Sequence, residues 1–117
     1  MVDVGSELAS LPVLKKEDAL ERMDFDEDLY GEVTALFLED TPLQMSILMQ
    51  AFERRELTTA TRQVHSIKSS ASNVGGLRLA AICWEMEKEG RRGQLDAMMT
   101  LIPRLESELT ALMERLR

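Results

Sequence analysis

The sequence holds one histidine, His65, inside the stretch VHSIKSSASNVGG of residues 64–76, and Lys68 follows it three positions later. On a helix, residues three and four apart share a face. A helix over 57–73 therefore groups His65 with Thr61 and Arg62 one turn before it, Lys68 and Ser69 one turn after, and Ser72 two turns after. None of these is a large apolar residue, so the imidazole is expected to stand uncovered on a strip that another surface can approach closely. A neutral imidazole is a nucleophile, and a cation one turn away can stabilise negative charge arriving on it. The pair fits acceptance of a phosphoryl group, a reaction that asks mainly for positioning and charge stabilisation. The neighbouring cations Arg62 and Lys68 would favour the neutral, nucleophilic ring.

Other chemistries find little support. A second histidine is missing, so no nucleophile, base and acid can be assembled around His65 into an independent enzyme. His65 and Cys83, eighteen residues apart, do not make a zinc site, and no metal is expected. The alternating acids Asp24-Asp26-Asp28 and Glu85-Glu87-Glu89 lack the loop pattern of an EF-hand. Cys83 and Trp84 read as packing residues. One cysteine excludes an internal disulfide and suits a reducing compartment. No run approaches the roughly 18 apolar residues of a membrane span. The opening MVDVGSELASLPVL has no basic segment followed by an apolar one. A cytoplasmic location is expected. The net charge is −7, with the acids concentrated in residues 1–42 and the second half mildly basic. That balance argues against nucleic acid or an anionic membrane as partner.

The elements that must position His65 are helical. Aromatics are 4% of the 117 residues, β-branched residues do not alternate, and hydrophobic residues, at 44%, recur at helical spacing. Residues 1–10 read as a flexible lead-in and 11–117 as one domain. Leu14, Leu20 and Met23 suit a short helix near 15–23, and Asp24 or Asp26 can cap the next helix. There Leu29, Val33, Leu36 and Phe37 are followed by Met45, Leu48, Met49 and Phe52. Thr41-Pro42-Leu43-Gln44 could start a new helix, but the lack of a loop favours one helix kinked at Pro42. Leu57, Ala60, Val64, Ile67, Ala71 and Val74 make the apolar stripe of the histidine helix, which should stop at Gly75-Gly76. A fourth helix should run from Leu77 to a stop at Gly90. A fifth pattern from Leu95 to Leu116 contains Pro103, which should kink it or split off its first turns. Short connections imply antiparallel neighbours. The fold expected is an all-α, antiparallel four-helix bundle over roughly 27–54, 57–73, 77–89 and 93–116, with the short extra helix at its N-terminal side.

HSIKSSASNVGG resembles the phosphoacceptor motif of histidine-containing phosphotransfer (HPt) domains: His, any residue, an aliphatic, Lys, small residues, then aliphatic-Gly-small. His65, Ile67, Lys68, Ser69, Ser70, Val74, Gly75 and Gly76 fall at matching positions. DEDLYGEVTALFLEDTPLQMSILMQAF is similar to the family's long second helix, and LAAICWEMEKEGRRGQL to its fourth helix and turn, so the likeness covers about 11–117. The resemblance implies a four-helix bundle that shuttles phosphoryl groups between receiver-domain aspartates, with no kinase or phosphatase activity of its own. It implies that His65 is phosphorylated on Nε2 and that Lys68 meets the phosphoryl oxygens. Ser69, where many members have Gly, would permit receiver approach. Arg62, Ser72, Gly75 and Gly76 would complete the close-approach surface, with Gly76 standing where Ala is more usual. Glu87 falls where some members place a polar neighbour of the imidazole, although a carboxylate there would repel a phosphoryl group. Receiver domains would be the partners and supply Mg²⁺, with no bound cofactor and a monomeric chain. Two rivals remain. One is a helical adaptor without phosphotransfer chemistry. The other is the dimerising helix pair of a histidine kinase, which usually has an acid after the histidine, where this chain has Ser66.

Overall fold

The structure, a computed structural model, describes residues 8–117. Its helices are α1 (Lys16–Arg22), α2 (Glu27–Glu53), α3 (Leu57–Val74), α4 (Leu77–Arg91), α5 (Leu95–Met99) and α6 (Ile102–Leu116). No strand occurs among the described residues. α3 packs most extensively against α4 on one side and α2 on the other, and α5 and α6 close over α4. Short turns at 54–56, 75–76 and 92–94 connect these elements, which makes sequential helices antiparallel neighbours in an all-α bundle.

The apolar stripe of α3 builds the centre. Ala60, Val64, Ile67, Ala71 and Val74 are all fully buried. They meet Leu79, Ile82, Cys83 and Met86 of α4 and Leu48 and Phe52 of α2 in one core. Burial pushes the Cys83 thiol up to about 12, so it packs as a small hydrophobe. Residues 1–7 of the expected lead-in lie outside the described residues. Leu8, within that expected segment, is buried in the core and belongs to the packed body.

Proline position decides two boundaries. Pro42 lies inside a continuous α2, so Thr41 is no cap: it is fully buried mid-helix. Pro42 itself is exposed, and only the carbonyl four residues earlier loses its donor. The capping residue of α2 is Asp26, whose side chain accepts from the Leu29 N–H at 3.0 Å. Pro103 acts differently. It occupies the first turn of α6, where a missing N–H costs little, and of the two outcomes expected at this proline the split occurs: the 93–116 pattern forms α5 and α6. The expected stop at Gly90 is also displaced. Gly90 is buried inside α4, and the chain turns at Gly93, which has φ 76°.

The C-terminus of α3 is the most heavily bonded junction. Gly75 takes φ 85°, Gly76 N–H donates to Ala71 O at 2.8 Å and Gly75 N–H to Ser72 O at 3.1 Å, a Schellman closure. Arg22 also donates to Ser72 O. Tyr30 Oη donates to Val74 O at 2.8 Å, and Lys15 N–H to Gly75 O at 2.8 Å. The last carbonyls of the histidine helix are therefore satisfied by α1, α2 and the segment before α1.

This junction predicts two costs. Gly75→Ala adds left-handed strain and drives a Cβ into the Lys15 carbonyl, and should destabilise by about 2–3 kcal/mol. Tyr30→Phe leaves the Val74 carbonyl buried without its donor and should cost about 1–2 kcal/mol. Urea unfolding of both variants measures each loss.

Candidate functional site

His65 sits mid-way along α3 with its side chain 53% exposed. Val64 and Ile67, its neighbours on the helix, point into the core, and this register turns the imidazole outward. One edge of the ring is occupied. Nδ1 lies 2.9 Å from Glu87 Oε2, on α4. Among the described residues no hydrogen bond is made to Nε2.

Glu87 is the hub. Its side chain is 2% exposed, and its two oxygens collect three partners. Lys68 Nζ donates to Oε1 at 2.6 Å, while Arg91 donates to Oε2 at 2.6 Å beside His65. Lys68 reaches it from α3, one turn beyond His65, and Arg91 from α4 at i+4. Burial pushes the Glu87 carboxyl up, but the hydrogen bonds from Lys68 and His65, reinforced by their charge, outweigh that and hold it below the usual carboxylate range. An ionised carboxylate only accepts hydrogen bonds. Nδ1 must therefore be the protonated nitrogen, and in the neutral ring Nε2 carries the free lone pair.

Space for this contact comes from two small residues. Gly90 is buried where α4 crosses α3, and a Cβ there would collide with the Thr61 hydroxyl. Thr61 in turn donates to its own helix at Leu57 O, 2.9 Å away. A concave pocket of about 400 Å³ opens beside the ring, lined by Thr58, Thr61, Arg62, His65, Glu87, Gly90 and Arg91 among others.

The expected residues divide. His65, Lys68 and Glu87 converge, and Arg62 lines the pocket beside the imidazole. Ser69 is exposed one turn from His65, and Ser72 is half-buried, its carbonyl held by Arg22. Gly75 and Gly76 do not belong to an open docking surface. Both are buried, Gly75 against the Lys15 backbone and Gly76 against Leu112, so the absence of a side chain there serves packing. The expected repulsion from Glu87 also changes, because the carboxylate faces Nδ1, the side of the ring away from Nε2.

Two participants were missed. Arg91 could have been found from its i+4 spacing to Glu87. Trp84 is not a core residue: it is 44% exposed, with the ammonium groups of Lys68 and Lys88 over its ring at 4.7 and 5.6 Å. Among the described residues no group of three His, Cys, Asp or Glu side chains could hold a metal ion.

Because Glu87 is held ionised by folding, the folded state binds its proton more weakly than the unfolded chain does. Its contribution is then present above the ordinary carboxylate value of about 4.3 and is lost as pH falls through the lower folded value. The stability gap between wild type and Glu87→Gln should narrow from about pH 6 to pH 3, whereas Glu87→Ala should cost about 1–3 kcal/mol at neutral pH. Urea unfolding across that range checks both, and a gap that does not change with pH would contradict an ionised hub.

The Hpt domain family model matches residues 32–117. The crystal structure of histidine-containing phosphotransfer protein B (HptB) from Pseudomonas aeruginosa PAO1 is similar, with a TM-score of 0.81 and 27% identity over 90% of this chain and 91% of that one. A search of curated proteins found no match. With the family model spanning most of the bundle and an outward-facing histidine at its centre, the chain belongs to the Hpt domain family of phosphotransfer carriers.

Proposed function

We propose that this protein is a phosphorelay intermediate that accepts a phosphoryl group on His65 Nε2 from a receiver-domain aspartate and passes it to a second receiver. The observation that carries the reading is the bond from His65 Nδ1 to the buried Glu87 carboxylate, at 2.9 Å, which leaves Nε2 as the nucleophilic nitrogen of an exposed ring. In the forward step the Nε2 lone pair attacks phosphorus, the bond from phosphorus to the aspartyl oxygen breaks, and the aspartate leaves as a carboxylate. The Nδ1 proton stays in place. The phosphorylated ring then carries positive charge, which Glu87 stabilises across the Nδ1–H bond. Lys68, and Arg62 and Arg91 at the pocket, supply positive charge around the incoming group. The second transfer reverses these steps onto another aspartate.

This division of labour assigns Mg²⁺ and the acyl-phosphate chemistry to the receiver, and leaves this chain as a carrier without kinase or phosphatase activity of its own. Docking is proposed on the face of α3 around His65 and Ser69 and on α2. Leu29, Leu36, Leu43 and Ile47 form one stripe along α2 and are 39–64% exposed. Leu36 borders a depression shared with Ser70 and Asn73 of α3, so the stripe adjoins the histidine helix. An exposed apolar row of that length marks an interaction surface. The proposed complex is one receiver to one chain, with the free protein monomeric. Among the described residues no helix is long and apolar enough to cross a membrane.

The test mixes the purified chain with an aspartate-phosphorylated receiver and Mg²⁺ and follows acid-labile, base-stable label. Wild type should take label and His65→Gln none, and Lys68→Ala should slow transfer by about ten- to a hundredfold. Absence of label across a panel of receivers would sink the reading.

A further inference from the structure

The Lys68 ammonium is held by more than an anion. It lies over the Trp84 ring, 4.7 Å from the centroid, while it donates to Glu87 Oε1 at 2.6 Å. Trp84 and Glu87 are three residues apart on α4 and share a face. Ring and carboxylate thus form two walls of one socket, and the side chain entering it comes from α3. A lysine is a point charge on a flexible four-carbon stem, so a single carboxylate fixes its distance but leaves it free to swing. The face of an indole narrows that freedom, since its quadrupole attracts a cation lying over the ring. Lys68 is 22% exposed in this socket, whereas Arg91, bonded to the same carboxylate, is 60% exposed.

The two walls differ in a way that matters for charge. Glu87 neutralises Lys68 as it holds it. Trp84 holds the ammonium without cancelling its charge, because the ring is neutral. A phosphoryl group arriving at His65 competes with Glu87 for the ammonium and does not compete with the indole.

We propose that Trp84 is a positioning residue for phosphoryl transfer at His65: its ring face keeps the Lys68 ammonium in place beside the imidazole while that cation exchanges Glu87 for the phosphoryl oxygens. The proposal rests on His65 being the phosphoacceptor. A charge stabiliser already held close to its working position needs only a change of partner, not a search for its place, during the reaction. Lys88 provides an internal control. It lies 5.6 Å from the same ring centroid, but its ion pair is with Glu85 at 2.8 Å.

The test uses phosphoramidate as donor, which removes any contribution from receiver docking. The Nε2 lone pair attacks phosphorus, the P–N bond of phosphoramidate breaks, and ammonia leaves. Phosphohistidine formation is followed for wild type, Trp84→Leu, Trp84→Phe and Lys88→Gln, with circular dichroism to confirm folding. Trp84→Leu should label about three- to tenfold more slowly, and Trp84→Phe, which keeps a ring face, should recover most of the rate. Lys88→Gln should match wild type. In parallel, the Lys68 side-chain methylene protons should show an upfield ring-current shift in wild type that Trp84→Leu abolishes. Wild-type labelling rates in Trp84→Leu, or equal slowing in Trp84→Leu and Trp84→Phe, would overturn the role of Trp84 and leave the phosphoacceptor reading intact. A wild-type chain that takes no label from phosphoramidate or from receivers would overturn both.

Discussion

A carboxylate buried to 2% exposure between two helices is the constraint around which this site is organised. An ionised Glu87 in that position is tolerable only if charged or polar donors surround it. Those donors are His65 and Lys68 from α3 and Arg91 from α4. The requirement ties the two helices together at one height and one rotation. It also fixes the imidazole, because an acceptor at Nδ1 chooses the tautomer. The same bond that satisfies a buried charge thus leaves Nε2 of the neutral ring with the free lone pair.

The surrounding sequence serves that contact. Gly90 lets α4 pass close to Thr61. Ala60, Val64, Ile67 and Ala71 keep the opposite side of α3 in the core, so the histidine face turns outward. The helix end is locked by Tyr30, Lys15 and Arg22, which take the carbonyls that helix geometry leaves unpaired. The exposed imidazole is thus carried on a well-packed helix, and its surroundings are set by packing within the bundle itself. Cations around the ring are also partly reserved: Lys68 is engaged with Glu87 and lies over the Trp84 ring.

The sequence makes much of this architecture readable. The stripe from Leu57 to Val74 follows helical spacing so closely that the outward direction of His65 follows from arithmetic, and Gly75 marks the end of the helix through a backbone angle other residues resist. Pro103 and Pro42 show where local rules diverge. At α6 the proline falls on a first turn and starts a helix. At Pro42 the flanking apolar residues Phe37, Met45 and Leu48 are buried on both sides, and tertiary packing carries α2 through. What spacing cannot supply is contact across elements. Glu87 is twenty-two residues from His65, and only the packing of α4 on α3 brings them together. Gly75 and Gly76 show the reverse error: residues that look like an open surface in sequence are small because Lys15 and Leu112 press on them. Trp84 likewise reads as core by residue type, yet its neighbours are two lysines.

The central claim is that Glu87 sets the protonation pattern of the imidazole and so makes Nε2 the reacting atom. Long-range ¹H–¹⁵N correlation spectra of the single histidine, recorded on the free and the phosphorylated protein at alkaline pH, read that pattern directly. The account predicts a neutral free ring protonated at Nδ1 with a bare Nε2, and phosphorus coupled to Nε2 after transfer. A free ring protonated at Nε2, or a phosphoryl group bonded to Nδ1, would contradict it.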